Sequence, residues 1–167
     1  MAVVVLEDTH KLLREKIQAL KDEIRENSNE IQEAAAQGDL SENAEYDSAK
    51  EKQSMLHYKL NQLQMYSRVE IYREDDIETD RVSYGTKIKL KELNSGEIRH
   101  YTVVGPAEYE LENYSNIMTY TSPLAKALMG KEKGEVATIE KPDKQLKFEI
   151  LEIESALSSN GGQEEES

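Results

Sequence analysis

Seven residues spaced alternately by four and three positions constrain the N-terminal fold more than any other feature. They are Leu13, Ile17, Leu20, Ile24, Asn27, Ile31 and Ala34. An apolar position every 3.5 residues is typical of a coiled-coil seam, because it keeps one stripe of a helix facing a partner. A second run with this spacing holds Tyr46, Ala49, Gln53, Leu56, Leu60, Leu63 and Ser67. We therefore predict two helices with matching seams, in which the polar members Asn27 and Gln53 fix the register.

The link between the two runs is very short, Gln37-Gly38-Asp39-Leu40-Ser41. Consecutive helices joined by so few residues pack antiparallel as a hairpin. Each predicted arm has about thirty residues, which corresponds to a length on the order of 45 Å. We therefore predict an antiparallel coiled-coil hairpin whose tip lies at residues 38–46, with a positive φ angle at Gly38.

The charge balance excludes several classes of function. The chain has 21 Lys and Arg against 34 Asp and Glu, a net charge of −13. This charge repels phosphate and favours a basic protein surface as partner over duplex nucleic acid. There is no cysteine, and His10, His57 and His100 are scattered, so no zinc cluster is predicted. The apolar opening run Val3–Leu6 is too short for a signal peptide, and we expect a soluble, cytoplasmic protein without a membrane partner.

The second half of the sequence changes to strand-like alternation. The acidic stretch Arg73–Asp80 predicts a joint, and we assign residues 1–75 to the hairpin, 76–156 to a second domain and 157–167 to a disordered acidic tail. Alternating or β-branched segments predict strands, and they are Thr86–Lys91, Glu97–Val104, Ile117–Tyr120, Val136–Glu140 and Leu146–Ile153. The fold class is therefore α+β, with a mostly antiparallel sheet in the second domain.

One short helix is predicted within this second domain. Ser122 suits its N-cap, and Pro123 suits its first position, where the missing N–H is not needed. Leu124, Ala127 and Leu128 form the predicted buried face, and Gly130 suits the C-terminal cap.

Two carboxylates at the tip offer the clearest chemistry. Asp39 and Glu42 are three residues apart and could converge on one cation. The same spacing is also a capping box for the second helix, and negative charge at a helix N-terminus is favourable in any case. Ser41 is a competing N-cap. Spacing alone favours the capping role and leaves the metal role open.

Four segments carry a resemblance to a known family. They are GDLSENAEYDSAKEKQ, VSYGTKIKL, TSPLAKALMGKEKGE and LKFEILEIE, within a match from about Leu12 to Glu154. They resemble the Gre transcript-cleavage factors of bacterial RNA polymerase, the GreA branch especially. The resemblance implies that the second domain is FKBP-like and docks against a coiled coil of the largest subunit, at the rim of the secondary channel. The hairpin would then enter that channel.

The resemblance also assigns roles to single residues. Asp39 and Glu42 match the paired tip acids, which help to hold a second magnesium ion inside the polymerase active centre, with none bound by the factor alone. Asn43, Glu45 and Tyr46 match the tip support, and Ser122, Pro123 and Leu124 match the polymerase-docking segment. Ala35 stands where the family commonly has an arginine that helps to hold the 3′ segment of the nascent RNA. Lys50 is the remaining candidate RNA contact, and we expect short released fragments.

The expected function is that of an accessory factor, acting as a monomer, that stimulates the polymerase to cleave backtracked RNA and is not itself an enzyme. Three alternatives stay open. The first is a paralogue that occupies the channel and regulates or inhibits the polymerase, although such a plug need not keep Asp39 and Glu42. The second is a coiled-coil adaptor, in which Asp39→Asn would be harmless. The third is a prolyl isomerase, which the fold class alone suggests and the scarcity of Phe and Trp disfavours.

Overall fold

The computed structural model of the chain describes residues 3–38, 43–66 and 68–157, which fall into two compact units. Lys11–Val69 form one, the hairpin unit. Residues 3–10 join residues 70–157 in the other, the C-terminal unit. The sequence placed residues 1–75 together, whereas the structure groups the first described residues with the sheet. None of the helices among the described residues is long and apolar enough to cross a membrane.

The hairpin unit consists of two long helices, α1 (Glu7–Ala35) and α2 (Ala44–Gln64). The first four residues of α1 are counted with the C-terminal unit. Burial follows the predicted seams. The buried seam members are Leu13, Leu20, Asn27 and Ala34 on α1, and Ala49, Leu56 and Leu63 on α2. The other described seam residues are half-buried. The predicted 3–4 spacing is therefore confirmed as the packing stripe of both helices.

Hydrogen bonds between the helices establish that they run antiparallel. Asn27 Nδ2 donates to the Ala49 carbonyl at 3.0 Å. Asn43 Nδ2 donates to the Ala34 carbonyl at 2.6 Å. A later residue of α1 therefore meets an earlier residue of α2, as the short link between them requires.

The C-terminal unit is built on a five-stranded sheet. Its strands are β3 (Thr86–Glu92), β4 (Ile98–Val104), β5 (Ile117–Thr119), β6 (Val136–Lys141) and β7 (Lys144–Ser155). Their order is β5-β4-β3-β7-β6. β4 and β5 pair in parallel, and the other neighbours pair antiparallel. The predicted α+β class with a mostly antiparallel sheet is confirmed.

One face of this sheet is covered and the other is wet, as the alternation in β3 predicts. Ile88 and Leu90 are 1% and 0% exposed, whereas Lys89 is half-buried and Lys91 exposed. The covered face packs with helix α4 (Pro123–Leu128) in one core. Its buried members are Val82, Ile88, Leu90, Val103, Met118, Ala125, Leu128, Ala137, Phe148 and Ile150.

Besides a one-turn 3-10 helix at Glu74–Asp76, two strands and one α-helix of the described residues were not predicted from the sequence. Strands β1 (Val3–Leu6) and β2 (Val69–Tyr72) pair as a two-stranded sheet. Helix α3 (Pro106–Leu111) follows β4 directly, so the C-terminal unit has a second short helix where one was predicted. Pro106 stands at the first position of α3, where proline begins a helix well.

The packing of β1 explains why residues 3–10 belong to the C-terminal unit. Leu6 is fully buried in a cluster with Ile77 and Val104, and Tyr72 and Tyr84 pack against it. The apolar opening run is therefore part of the core of the C-terminal unit.

Candidate functional site

The end of the hairpin is closed by the side chain of Asn43. Its Oδ1 accepts a hydrogen bond from the Tyr46 backbone N–H at 3.1 Å, and so caps the start of α2. Its Nδ2 donates to the carbonyl of Ala34 in the last turn of α1. One amide thus satisfies a free donor of one helix and bonds to a carbonyl in the last turn of the other. We call this arrangement the Asn43 clasp.

The clasp corrects the predicted start of α2. The sequence offered Ser41 or Asp39 as the N-cap, with Glu42 completing a capping box. The N-cap of α2 is Asn43, and the helix begins at Ala44. Asn, Asp and Ser are about equally good N-caps, so their order along the chain could not decide between the candidates. Residues 39–42 themselves lie outside the described residues.

The other side of the tip follows the prediction. α1 ends at Ala35, and Gly38 has a φ angle of 110°. This left-handed conformation is strained for residues with a side chain, which is why glycine is common just after a helix. The N–H of Gln37 also donates to the Ala34 carbonyl, at 3.2 Å, so this acceptor serves both the turn and the clasp.

A cleft of about 480 Å³ lies between the two helices next to the clasp. Its charged lining residues are Glu30, Glu33, Glu45 and Lys52. The Lys52 Nζ lies 3.6 Å from a Glu30 carboxylate oxygen, and both side chains are about half exposed. Three acids against one base make the cleft negative, which opposes direct binding of a phosphate there.

The remaining predicted tip residues take different positions. Glu45 is exposed in the first turn of α2, and Tyr46 is half-buried on the seam. Lys50 is exposed on α2, and Ala35 is half-buried at the end of α1. The structure therefore brings Asn43, Glu45 and Tyr46 together at the start of α2, with Lys50 one turn further along.

No group of three or more His, Asp or Glu side chains suited to a metal ion occurs within residues 3–38, 43–66 and 68–157. The predicted magnesium ligands Asp39 and Glu42 lie outside these ranges. Two carboxylates are nevertheless the usual protein contribution to a magnesium site, which is completed by water and substrate phosphate.

The predicted docking segment forms the start of α4. The Ser122 Oγ accepts a hydrogen bond from the Ala125 N–H at 3.2 Å, which confirms the predicted N-cap. Pro123 is exposed and Leu124 half-buried. Ala125, absent from the predicted buried face, is fully buried together with Leu128. The segment thus presents Pro123 and part of Leu124 to solvent on a short, capped helix.

Comparison with known proteins gives a consistent picture along the chain. Residues 3–71 match the family model "Transcription elongation factor, N-terminal". Residues 77–155 match "Transcription elongation factor, GreA/GreB, C-term".

Curated relatives match over most of their own length. The transcription elongation factor GreA of Desulfovibrio desulfuricans is 35% identical over 92% of this chain and 94% of the relative. That of Flavobacterium johnsoniae is 38% identical over 87% and 92%. The crystal structure of GreA factor homolog 1 (Gfh1) of Thermus thermophilus is 22% identical, covers 93% of this chain and 100% of its own, and superposes with a TM-score of 0.44.

Both halves of the chain match the two halves of one family, and the identities to curated members extend across nearly the whole length. The chain belongs to the GreA/GreB family of transcription elongation factors.

Proposed function

We propose that this protein binds bacterial RNA polymerase in the cytoplasm and stimulates cleavage of backtracked RNA by the polymerase. The hairpin would enter the secondary channel while the C-terminal unit docks at its rim. Family membership supports the general function. The single observation that supports the tip chemistry is the Asn43 clasp, because α2 takes its cap from Asn43 and needs neither Asp39 nor Glu42 to begin.

The tip acids are proposed to act only inside the polymerase. Asp39 and Glu42 would together supply two carboxylates to a magnesium ion, and the polymerase and the RNA phosphate would complete its shell. A divalent cation at such a site supplies positive charge that favours attack of water on a phosphodiester. The task of this chain is to carry the two carboxylates, and the clasp holds the helix ends on either side of them. The factor itself is therefore no enzyme.

Docking is proposed to use the exposed start of α4. Pro123 and Leu124 offer apolar surface that is already ordered by the Ser122 cap, so little conformational entropy is lost on binding. We propose the coiled coil of the largest polymerase subunit as the partner, with this protein bound as a monomer.

RNA contact is proposed to be limited. Lys50 is an exposed cation on α2, the nearby cleft is acidic, and Ala35 offers no charge at the end of α1. A weak hold on the 3′ segment of the RNA favours release of short fragments.

The decisive experiment compares Asp39→Asn with the wild type on a stalled, backtracked elongation complex. We expect the variant to compete for the polymerase as well as the wild type does and to give no stimulated cleavage, because only a carboxylate is lost. Asp47→Asn is the matched control, since it makes the same change at an exposed position in the first turn of α2. Equal cleavage by Asp39→Asn and wild type would exclude the metal role. A wild type that binds without stimulating cleavage would point to an inhibitory paralogue.

Docking is tested separately with Pro123→Ala. We expect weaker competition for the polymerase with unchanged helicity, because alanine is tolerated at the first helical position. The matched control is Pro106→Ala, since Pro106 is also exposed at the start of a six-residue helix. An unchanged inhibition constant for Pro123→Ala would place the docking surface elsewhere.

A further inference from the structure

A fully buried carboxylate, Glu108 on α3, lies outside the tip and the docking segment. It is 0% exposed. Its Oε1 accepts from the Gly105 N–H at 3.0 Å, and its Oε2 accepts from the Leu6 N–H at 3.0 Å. The hydroxyl of Tyr84 lies 3.0 Å from both oxygens. All three donors are uncharged, so the carboxylate is held by hydrogen bonds alone.

The two oxygens serve different purposes. The bond from Gly105 is local, since it spans three residues and satisfies a free N–H at the start of α3. The bond from Leu6 joins residues 102 positions apart and contributes nothing to α3. It attaches strand β1, which ends immediately before α1 begins at Glu7. The Tyr84 hydroxyl has a single proton, which it donates to Glu108 at 3.0 Å; the Val4 carbonyl of β1 lies 3.3 Å away as an alternative acceptor.

The first turn of α1 is attached at three further points in the C-terminal unit. Buried Thr9 accepts a hydrogen bond at Oγ1 from Asn113 Nδ2 at 3.0 Å. The Tyr114 hydroxyl donates to the Asp8 carboxylate. The Arg73 Nε lies 3.6 Å from a Glu7 carboxylate oxygen, although this pair is exposed and weak. The start of α1 is therefore bonded residue by residue to the sheet domain.

We propose that Glu108, with Tyr84, is a positioning residue for stimulated cleavage. It holds the point from which α1 departs, so that a docked C-terminal unit fixes where the hairpin begins. This inference rests on the proposed function. If β1 moved away, Glu108 Oε2 and the Leu6 N–H would lose their bond to each other, and the buried Leu6 side chain would leave its cluster, which makes such a movement costly.

The test is a titration of each factor variant against a fixed amount of backtracked elongation complex. It yields the concentration for half-maximal cleavage, which reports docking, and the maximal cleavage rate, which reports placement of the tip. Displacement of a catalytic group by about 1 Å can cost on the order of 100-fold in rate. For Glu108→Gln we expect a maximal rate at least about tenfold lower, with an unchanged half-maximal concentration. Glutamine has the same size as glutamate, but its NH₂ group would face the N–H of either Leu6 or Gly105, so that two donors would oppose each other.

If Glu108 contributed only to the stability of the fold, the titration would give a different result. Partial unfolding lowers the concentration of active factor, so the half-maximal concentration would rise while the maximal rate stays unchanged. That pattern would overturn the proposal. Tyr84→Phe covers the case in which Glu108→Gln does not fold, and we expect it to lower the maximal rate in the same way, though less. Tyr72→Phe is its matched control, because Tyr72 packs edge-on against Tyr84 at 5.4 Å and is not part of the Glu108 network.

Hydrogen exchange separates this inference from the proposed function. In both Glu108→Gln and Tyr84→Phe we expect faster exchange of the Leu6 amide and of the first amides of α1, and no change in Tyr72→Phe. This result stands even if the wild type stimulates no cleavage. Unchanged exchange in both variants would show that Glu108 does not hold the start of α1.

Discussion

Two buried polar side chains, Asn27 in the hairpin unit and Glu108 in the C-terminal unit, show how differently the two regions are built. Both are 0% exposed. Asn27 makes one cross-helix bond to the Ala49 carbonyl and leaves its Oδ1 without a partner among the described residues. Glu108 has a partner on each oxygen. Asn27 is therefore left with an unsatisfied oxygen, whereas both oxygens of Glu108 are satisfied; the C-terminal unit has its own exception in Asn113, whose Oδ1 has no partner among the described residues.

The difference follows from how the register between neighbouring elements is fixed in each unit. Two long helices with apolar seams can slide past one another by whole turns, and one polar residue in the seam favours a single register at some cost in stability. The sheet domain already has a unique register through its strand pairing. There, the Glu108 side chain joins segments that are distant in sequence.

Among the substitutions that test this comparison, Glu108→Ala should have the largest effect. It leaves the N–H groups of Leu6 and Gly105 buried without their acceptor, while the Tyr84 hydroxyl can still turn to the Val4 carbonyl. We expect the C-terminal unit to lose about 3 kcal/mol in free energy of unfolding. Urea unfolding followed by the near-ultraviolet signal of tyrosine measures it. A loss below about 1 kcal/mol would mean that water replaces the carboxylate easily.

Asn43→Ala should have a smaller effect, confined to the hairpin unit. It removes the cap of α2 and the bond to Ala34, and we expect a loss of about 1–2 kcal/mol. Thermal unfolding followed by helical circular dichroism checks this. Asn43→Ser is the control, since serine retains the cap but not the bond to Ala34. Its stability should lie between those of alanine and wild type.

Asn27→Leu should act in the opposite direction. Leucine has the same branched shape, and it removes a buried oxygen that lacks a partner, so we expect the hairpin to gain about 1 kcal/mol. The expected cost is specificity, which analytical ultracentrifugation would detect as association between chains. A lower melting temperature would show that the bond to Ala49 outweighs the unpaired oxygen.

The smallest predicted effect is a pH dependence of the C-terminal unit. Burial raises the pKa of Tyr84, and the neighbouring Glu108 carboxylate adds to the shift. Burial and the bond to Asp8 likewise raise the pKa of Tyr114. A tyrosine in the unfolded chain has a pKa of about 10. The stabilisation that neutral Tyr84 and Tyr114 give to the folded state is therefore complete below that pH, and it is lost as the pH rises above it. Urea unfolding at a series of alkaline pH values should show a shallower decline in Tyr114→Phe than in wild type or in the exposed-site control Tyr109→Phe.

The sequence predicts the hairpin well because its information is local and repeated. Seven seam positions on α1 and six on α2 share one face, so single polar members such as Asn27 do not obscure the pattern; Ser67, the last member of the second run, lies outside the described residues. The start of α2 could not be chosen, because Asp39, Ser41 and Asn43 are all good caps within a few residues. Asn43 caps α2 through the Tyr46 N–H and also bonds across the hairpin to the Ala34 carbonyl, a contact that no local pattern reveals.

The sheet domain is less predictable because its decisive contacts are remote. The alternation in β3 and the Ser122-Pro123 helix start could be recognised, since each is a local signal. The role of Val3–Leu6 could not, because its partners are β2 and Glu108, far along the chain. The α3 helix has six residues, too few for an amphipathic pattern to stand out.

The dependence of the sheet domain on its own first strand has a practical consequence for dissecting this protein. A C-terminal fragment that begins near residue 75 would lack Leu6 from its core, and Glu108 would lose the hydrogen bond from the Leu6 N–H. Conversely, a hairpin fragment that begins at Val3 would expose the apolar strand β1, which has lost its contacts with the C-terminal unit, and would be prone to aggregate. Expression of either half therefore calls for a fused or permuted N-terminal strand, rather than a simple truncation.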